Sequence, residues 1–81
     1  MTRVVAPAEI GALTGGVAVF EVEADTVGRL LAALDARFPG LGDYVDRRMA
    51  LAIDGEIHQD AWASPLRADS EVYLIPKIGG G

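Results

Sequence analysis

The decisive stretch of this 81-residue chain is Val72-Tyr73-Leu74-Ile75-Pro76-Lys77-Ile78, which runs into Gly79-Gly80-Gly81. Four consecutive apolar residues favour a strand buried on both faces, as expected in the middle of a sheet. The glycines after it cannot contribute to a core, since glycine has no side chain and loses the most freedom on ordering. A slim arm that ends in a carboxylate can instead enter another protein's active site. We therefore predict a folded domain over residues 1–76, a flexible tail over residues 77–81, and Gly81 as the reactive residue.

Composition limits the chain to one small core. It has no cysteine, which excludes a disulfide framework and a cysteine nucleophile, and its single histidine, His58, excludes a histidine-rich metal cluster. We predict no metal site. Seven basic and twelve acidic residues give a net charge of −5, which argues against nucleic acid as a partner and favours a basic protein surface. No apolar run approaches the ~20 residues of a membrane span, so we expect a cytoplasmic protein.

Upstream of the decisive stretch, hydrophobic spacing predicts two strands and then a helix. Residues 2–10 carry a weak strand signal, and residues 17–23 a stronger one rich in β-branched and aromatic side chains. Asp25 or Thr26 is placed to cap a helix. The apolar stripe of that helix recurs every three or four residues and consists of Val27, Leu30, Leu31, Leu34 and Phe38.

The second half of the chain predicts three more strands. A connector over residues 41–48, with short helical character, leads to Met49, Leu51 and Ile53, which alternate with small residues. Asp54-Gly55 is a strong two-residue hairpin turn, and an irregular loop over residues 59–70 precedes the last strand. Because the helix and strand periods are segregated, the predicted class is α+β. The order fits a β-grasp (ubiquitin-like) architecture: a mixed sheet of four to five strands with one main helix across it and the last strand beside the first.

Two segments resemble the MoaD/ThiS family of β-grasp sulfur carriers. Ala52-Ile53-Asp54-Gly55-Glu56-Ile57 is similar to the family's Val-Asn-Gly-Glu turn. Residues 66–81 are similar to its Leu-x-x-Gly-Asp-Glu-Val strand start and its Pro-Pro-Val-Ala-Gly-Gly ending. Pro76 takes the place of the first proline and Gly80-Gly81 the terminal pair, whereas Lys77 and Gly79 depart from the pattern.

The resemblance implies that Gly81 is adenylated by a ubiquitin-activating-type (MoeB/ThiF-like) enzyme that uses ATP. A sulfur donor then converts it to a thiocarboxylate, which a sulfur-accepting enzyme uses. The chain would be a carrier that binds no cofactor, not an enzyme. Gly79, Gly80, Ile78 and Lys77 would form the threading arm, and Pro76 would mark where the arm leaves the sheet. Lys77, the only lysine, is either a self-conjugation site, a contact to an acidic channel or a solvated residue.

The resemblance also implies that the adenylating enzyme packs on an exposed sheet face near the tail. The residues that we expect to contact it are Tyr73, Ile75, Ala50, Leu41 and Tyr44. Tyr73 is the best single candidate, because its polar tip tolerates water in the free protein. Trp62 either covers one end of the core or is an exposed anchor.

Four functions fit the sequence. The first is a sulfur carrier in molybdopterin, thiamine, cysteine or other sulfur metabolism, with Pro76 favouring the molybdopterin type and Lys77 an accessory carrier. The second is a ubiquitin-like modifier, in which the same adenylate ends as an isopeptide bond to a lysine. The third is a permanent small subunit that completes the active site of a molybdopterin-synthase-like complex. The fourth is a β-grasp binding module with an inert tail.

Overall fold

A computed structural model describes residues 1–58 and 63–76 of the chain. Within these residues there are five strands, three helices and a 3₁₀ turn at Ala8–Ile10. The elements are β1 (Thr2–Val5), α1 (Gly11–Thr14), β2 (Val19–Val22), α2 (Val27–Arg37), α3 (Leu41–Arg48), β3 (Met49–Ile53), β4 (Glu56–His58) and β5 (Glu71–Pro76). No helix in this part of the chain is long and apolar enough to cross a membrane.

The five strands form one mixed sheet in the order β2-β1-β5-β3-β4. Strand β5 lies parallel to β1 and antiparallel to β3, while the β1–β2 and β3–β4 pairs are antiparallel hairpins. The prediction that the last strand lies beside the first, in the middle of the sheet, is confirmed. The α+β class and the mixed sheet are confirmed with it.

One face of the sheet carries the hydrophobic core. Val4 and Val72 on the sheet and Leu30 and Leu34 on α2 have no exposed surface. The prediction that the last strand is buried on both faces is wrong, since 44% of Tyr73 is exposed. The error arises because the core side chains of α2 and α3 pack on one face of the sheet and leave the other face open. A central position in the sheet therefore does not bury both sides of β5.

Helix α2 follows the predicted stripe closely. Its N-cap is Thr26, whose Oγ1 accepts a hydrogen bond from the N–H of Arg29 at 3.2 Å. Of the two N-cap residues that the sequence allowed, Asp25 and Thr26, the structure therefore shows Thr26. At the other end, the Arg37 guanidinium lies 5.2 Å from the Phe20 ring centroid and donates a hydrogen bond to the backbone carbonyl of Glu21 at 3.0 Å. The helix is thus anchored to β2, an edge strand of the sheet.

Helix α3 is more regular than the sequence indicates. The segment predicted as a connector is an eight-residue helix that buries Leu41 and Val45 in the core. Gly42 brings it close to α2, and the Gly42 N–H donates to Asp35 Oδ1 at 3.0 Å. An isolated helix of this length is marginal in water, so packing against α2 holds it in place.

Candidate functional site

The open face of the sheet carries an apolar row that crosses all five strands. Cross-strand pairing aligns Val19 with Val5, Val5 with Tyr73, Tyr73 with Ala52, and Ala52 with Ile57. Residues paired in this way project to the same side of a sheet. Val19, Tyr73 and Ile57 are 46%, 44% and 57% exposed. An apolar row of this kind, uncovered in the isolated chain, is typical of a protein interaction site.

The row is continued towards the end of β5 by one further pair. Ile75 lies opposite Ala50, two residues beyond the Tyr73–Ala52 pair and on the same face. Ile75 is half-buried. We refer to Val5, Val19, Ala50, Ala52, Ile57, Tyr73 and Ile75 together as the open apolar face. It lies at the side of the molecule from which the chain continues into the glycine tail.

Two predicted contact residues do not form exposed parts of this face. Only 2% of Ala50 is exposed, and its single methyl group belongs to a strand position opposite the larger Ile75. Leu41 is fully buried, since it anchors α3 in the core. Both were expected in an exposed patch, and for both that expectation is wrong.

The other predicted contact residues are separated by the fold. Tyr73 and Ile75 lie together on the open apolar face. Tyr44 is 36% exposed but belongs to α3, in the helical layer, so it does not share a surface with Tyr73. Trp62 lies outside the described residues.

Pro76 is the last described residue before the tail and lies in β5 opposite Met49. The remaining predicted tail residues, Lys77, Ile78, Gly79, Gly80 and Gly81, lie outside the described residues. The point at which the tail begins is therefore the end of β5.

The two segments that carry the family resemblance touch each other at the opposite end of β5. Asp54 and Gly55 have φ angles of 49° and 91°, as the predicted two-residue hairpin turn requires. The Asp54 carboxylate accepts hydrogen bonds from the Glu71 N–H and from the Ser70 hydroxyl, both at 2.9 Å. The Arg67 guanidinium lies 3.5 Å from the same carboxylate. The β3–β4 turn is thereby tied to the first residue of β5.

These contacts alter the acidity of Asp54. The hydrogen bond from the Glu71 N–H, with that from the Ser70 hydroxyl, holds the pKa of Asp54 below its ordinary value; the charge of Arg67 adds to this, and partial desolvation opposes it. The ionised carboxylate is the form that accepts both hydrogen bonds. Asp54 is therefore a structural group that fixes the position of β5.

His58, the single histidine of the chain, lies on β4 with its Nε2 3.8 Å from the Glu56 carboxylate. Among residues 1–58 and 63–76, no three His, Cys, Asp or Glu side chains are grouped as metal ligands would be. His58 thus has an acidic neighbour but no wider cluster around it.

Sequence reasoning missed four members of the open apolar face: Val5, Val19, Ala52 and Ile57. Each lies on a strand that was predicted, but the row becomes visible only from the register between strands. The alternation in residues 19–22 and 49–53 was the available signal, since it separates the two faces of each strand.

The element order, the central parallel β5 and the single open sheet face define a β-grasp domain of the ubiquitin-like class. The ThiS family model matches residues 4–81, and the chain belongs to that family. No curated protein sequence gives a significant match.

Solved structures agree with the β-grasp fold. The chain is similar to CysO of Mycobacterium tuberculosis, with a TM-score of 0.85, 18% identity, and coverage of 96% of this chain and 100% of the other. It is similar to SAMP1, a small archaeal modifier protein, of Haloferax volcanii, with a TM-score of 0.70, 26% identity, and coverage of 99% and 98%. A putative molybdopterin converting factor, subunit 1, from Pyrococcus furiosus has a TM-score of 0.74, 19% identity, and coverage of 95% and 97%.

Proposed function

We propose that this protein is a sulfur carrier whose C-terminal Gly81 is activated as an acyl-adenylate and converted to a thiocarboxylate. The observation that carries the proposal is the ThiS family match, which extends to Gly81 and so includes the glycine tail. The central position of β5 supports it, because the strand that leads into the tail is held by partners on both sides.

The chemistry begins at an unreactive group. The carboxylate oxygen of Gly81 attacks the α-phosphate of ATP, which releases pyrophosphate and leaves a mixed anhydride with AMP. Sulfide delivered by a donor then attacks the carbonyl carbon, the bond to AMP breaks, and AMP leaves as the chain end becomes a thiocarboxylate. Glycine suits this position because its backbone can approach a nucleotide where a Cβ would clash.

The carrier depends on other proteins for each step. A MoeB/ThiF-like enzyme binds ATP and forms the adenylate, a donor supplies sulfur, and a cytoplasmic biosynthetic enzyme accepts it. The open apolar face is the surface that the adenylating enzyme would cover. It offers exposed apolar side chains, with Tyr73 at its centre, next to the strand end from which the tail departs.

Pyrophosphate exchange into ATP tests the first step. We expect the adenylating enzyme of the same organism to catalyse this exchange only when the carrier is present. Removal of Gly81 should abolish the exchange, whereas Lys77→Arg, in the same tail, should preserve it. Exchange that persists without Gly81 would contradict activation at that residue.

A second function, conjugation to lysines of other proteins, is favoured by one observation. The archaeal modifier from Haloferax volcanii is 26% identical to this chain, in a match that covers 99% of this chain. A modifier would form covalent adducts that survive denaturing electrophoresis and require both ATP and Gly81. A carrier would instead yield the free thiocarboxylate when sulfide is supplied.

A further inference from the structure

A charged row lies beside the open apolar face, towards the start of β5. Glu21 on β2 pairs with Arg3 on β1, and Arg3 pairs with Glu71 on β5. The three side chains project from the same side of the sheet as Tyr73, because Glu71 precedes it by two residues. The charges in this row are therefore negative on β2, positive on β1 and negative on β5, and the row lies next to the apolar row.

The ion pair within this row is weak. Arg3 Nε lies 3.9 Å from Glu71 Oε2, and the two side chains are 56% and 44% exposed. Exposed pairs of this kind contribute little to stability. Within the described residues, the Glu21 carboxylate takes part in no ion pair. The charges of the row are thus available to a partner.

The row also lies within reach of a protein bound at the tail. Pro76 lies five residue steps after Glu71, which is about 17 Å along the strand. A standard interface covers about 800 Å² of each partner, or a patch roughly 28 Å across. A protein that covers the start of the tail and the open apolar face therefore extends over the charged row too.

We propose that the Glu21–Arg3–Glu71 row determines which adenylating enzyme accepts this carrier. This inference rests on the proposed function and adds the chemistry of the partner. The partner surface presents two cationic side chains, about 10 Å apart because one strand lies between Glu21 and Glu71. Between these two cationic side chains, the partner surface presents a carboxylate or carbonyl oxygen that accepts a hydrogen bond from Arg3. Such complementarity mainly selects partners and speeds encounter.

Exchanging the two paired charges tests this proposal without changing the net charge. The double variant R3E/E71R keeps an ion pair between β1 and β5 but changes the order of charges across the row. The matched control is D25R/R29D, which exchanges the charges of an exposed pair at the start of α2, 3.5 Å apart. Thermal unfolding of both variants establishes that each is folded.

KM and kcat for adenylation by the enzyme of the same organism provide the readout. We expect R3E/E71R to raise the KM for the carrier about tenfold, with kcat unchanged because the tail is intact. The control should stay within about twofold of the parent chain. A KM for R3E/E71R within that range, or a loss confined to kcat, would overturn the proposal.

A single substitution keeps the test valid should the double variant not fold. Glu21→Lys alters the row at the edge strand, and Glu9→Lys makes the same change of net charge on the 3₁₀ turn. A selective rise in KM for Glu21→Lys supports the proposal, and equal effects of the two substitutions overturn it. If the parent chain is not adenylated at all, the proposed function itself fails, which is a distinct result.

Discussion

Asp54 shows how one carboxylate links two distant parts of the chain. It lies in the β3–β4 turn, yet its hydrogen-bond donors are the Ser70 hydroxyl and the Glu71 N–H, at the start of β5. The position of β5 relative to β3 is thereby fixed at one end. Since the tail begins at the other end of the same strand, Asp54 helps to fix the strand from which the tail starts.

We predict that Asp54→Asn destabilises the fold while leaving the turn intact. Asparagine tolerates the positive φ of position 54, but its amide supplies one acceptor oxygen where the carboxylate supplies two. Chemical denaturation at neutral pH should show a lower free energy of unfolding. Asp69→Asn is the control, because that side chain is 87% exposed and should change stability little. Equal effects of the two substitutions would contradict the role of Asp54.

The difference in stability between the parent chain and Asp54→Asn should depend on pH, because the pKa of Asp54 is lowered in the folded state. A carboxyl group whose pKa is lower in the folded state stabilises the fold fully above its unfolded pKa of about 4. The contribution is lost as pH falls through the folded pKa. We therefore expect the stability difference between the parent and Asp54→Asn to be constant at neutral pH and to shrink below about pH 4. A difference independent of pH down to strongly acidic conditions would contradict the assignment.

Residue-level prediction succeeded where local pattern determines the outcome. The Asp54-Gly55 turn and the helix stripe depend on nearest neighbours along the chain, and both are confirmed. Leu41 and Ala50 were wrongly placed in an exposed patch. Their burial depends on what packs over them in space, namely α2 for Leu41 and neighbouring strands for Ala50.

Among the elements, α2 and α3 pack closely against each other at Gly42. Gly42 allows it: a methyl group there would overlap the backbone carbonyl oxygen of Leu31 and press on the Asp35 side chain. A backbone atom in the middle of a helix cannot easily move aside. The two helices therefore require glycine at this position.

We predict that Gly42→Ala lowers the free energy of unfolding by about 1–3 kcal/mol, the usual cost of overpacking. Gly11→Ala is the matched control. Position 11 has a negative φ of −57°, and an added methyl group there meets nothing within 4 Å. That substitution should be neutral or stabilising by up to about 1 kcal/mol. Chemical denaturation distinguishes the two, and equal values would contradict the close approach.

The type and order of elements could largely be predicted, but the helical character of residues 41–48 was underestimated. That segment contains four charged residues in eight positions, so its intrinsic signal is weak. Its helix depends on burial of Leu41 and Val45 against α2. The helix at residues 41–48 is therefore determined by tertiary contacts, and these cannot be inferred from the periodicity of the sequence.

On the scale of the whole molecule, the fold separates a helix-covered face from an open one. The open apolar face crosses five strands, and the tail continues from the central one. Tyr73 and Tyr44 were predicted as parts of one interface, but they lie on different layers. This separation provides a direct test of which face the proposed adenylating enzyme would use.

We predict that Tyr73→Ala weakens binding to the adenylating enzyme about tenfold or more, as expected for an aromatic anchor near the centre of an interface. Tyr44→Ala removes the same side chain at a similar exposure, 36% against 44%, and should change the Kd by less than about twofold. Isothermal titration calorimetry measures both. A larger loss for Tyr44→Ala would place the interface on the helical layer instead.

The open apolar face as a whole could not be predicted from the sequence, although its central residue was. Tyr73 was identified from its position before the tail and its amphipathic side chain. Val19 and Ile57 join it only through the register of four strand pairs. Register depends on contacts between residues far apart in the chain.

Intact mass spectrometry tests the central claim most directly. The protein is incubated with ATP, the adenylating enzyme of its own organism and a sulfide source. We predict a mass increase that corresponds to replacement of one carboxyl oxygen by sulfur, and its absence when Gly81 is removed. No increase, with an adenylating enzyme that is active on another carrier, would contradict the sulfur-carrier function.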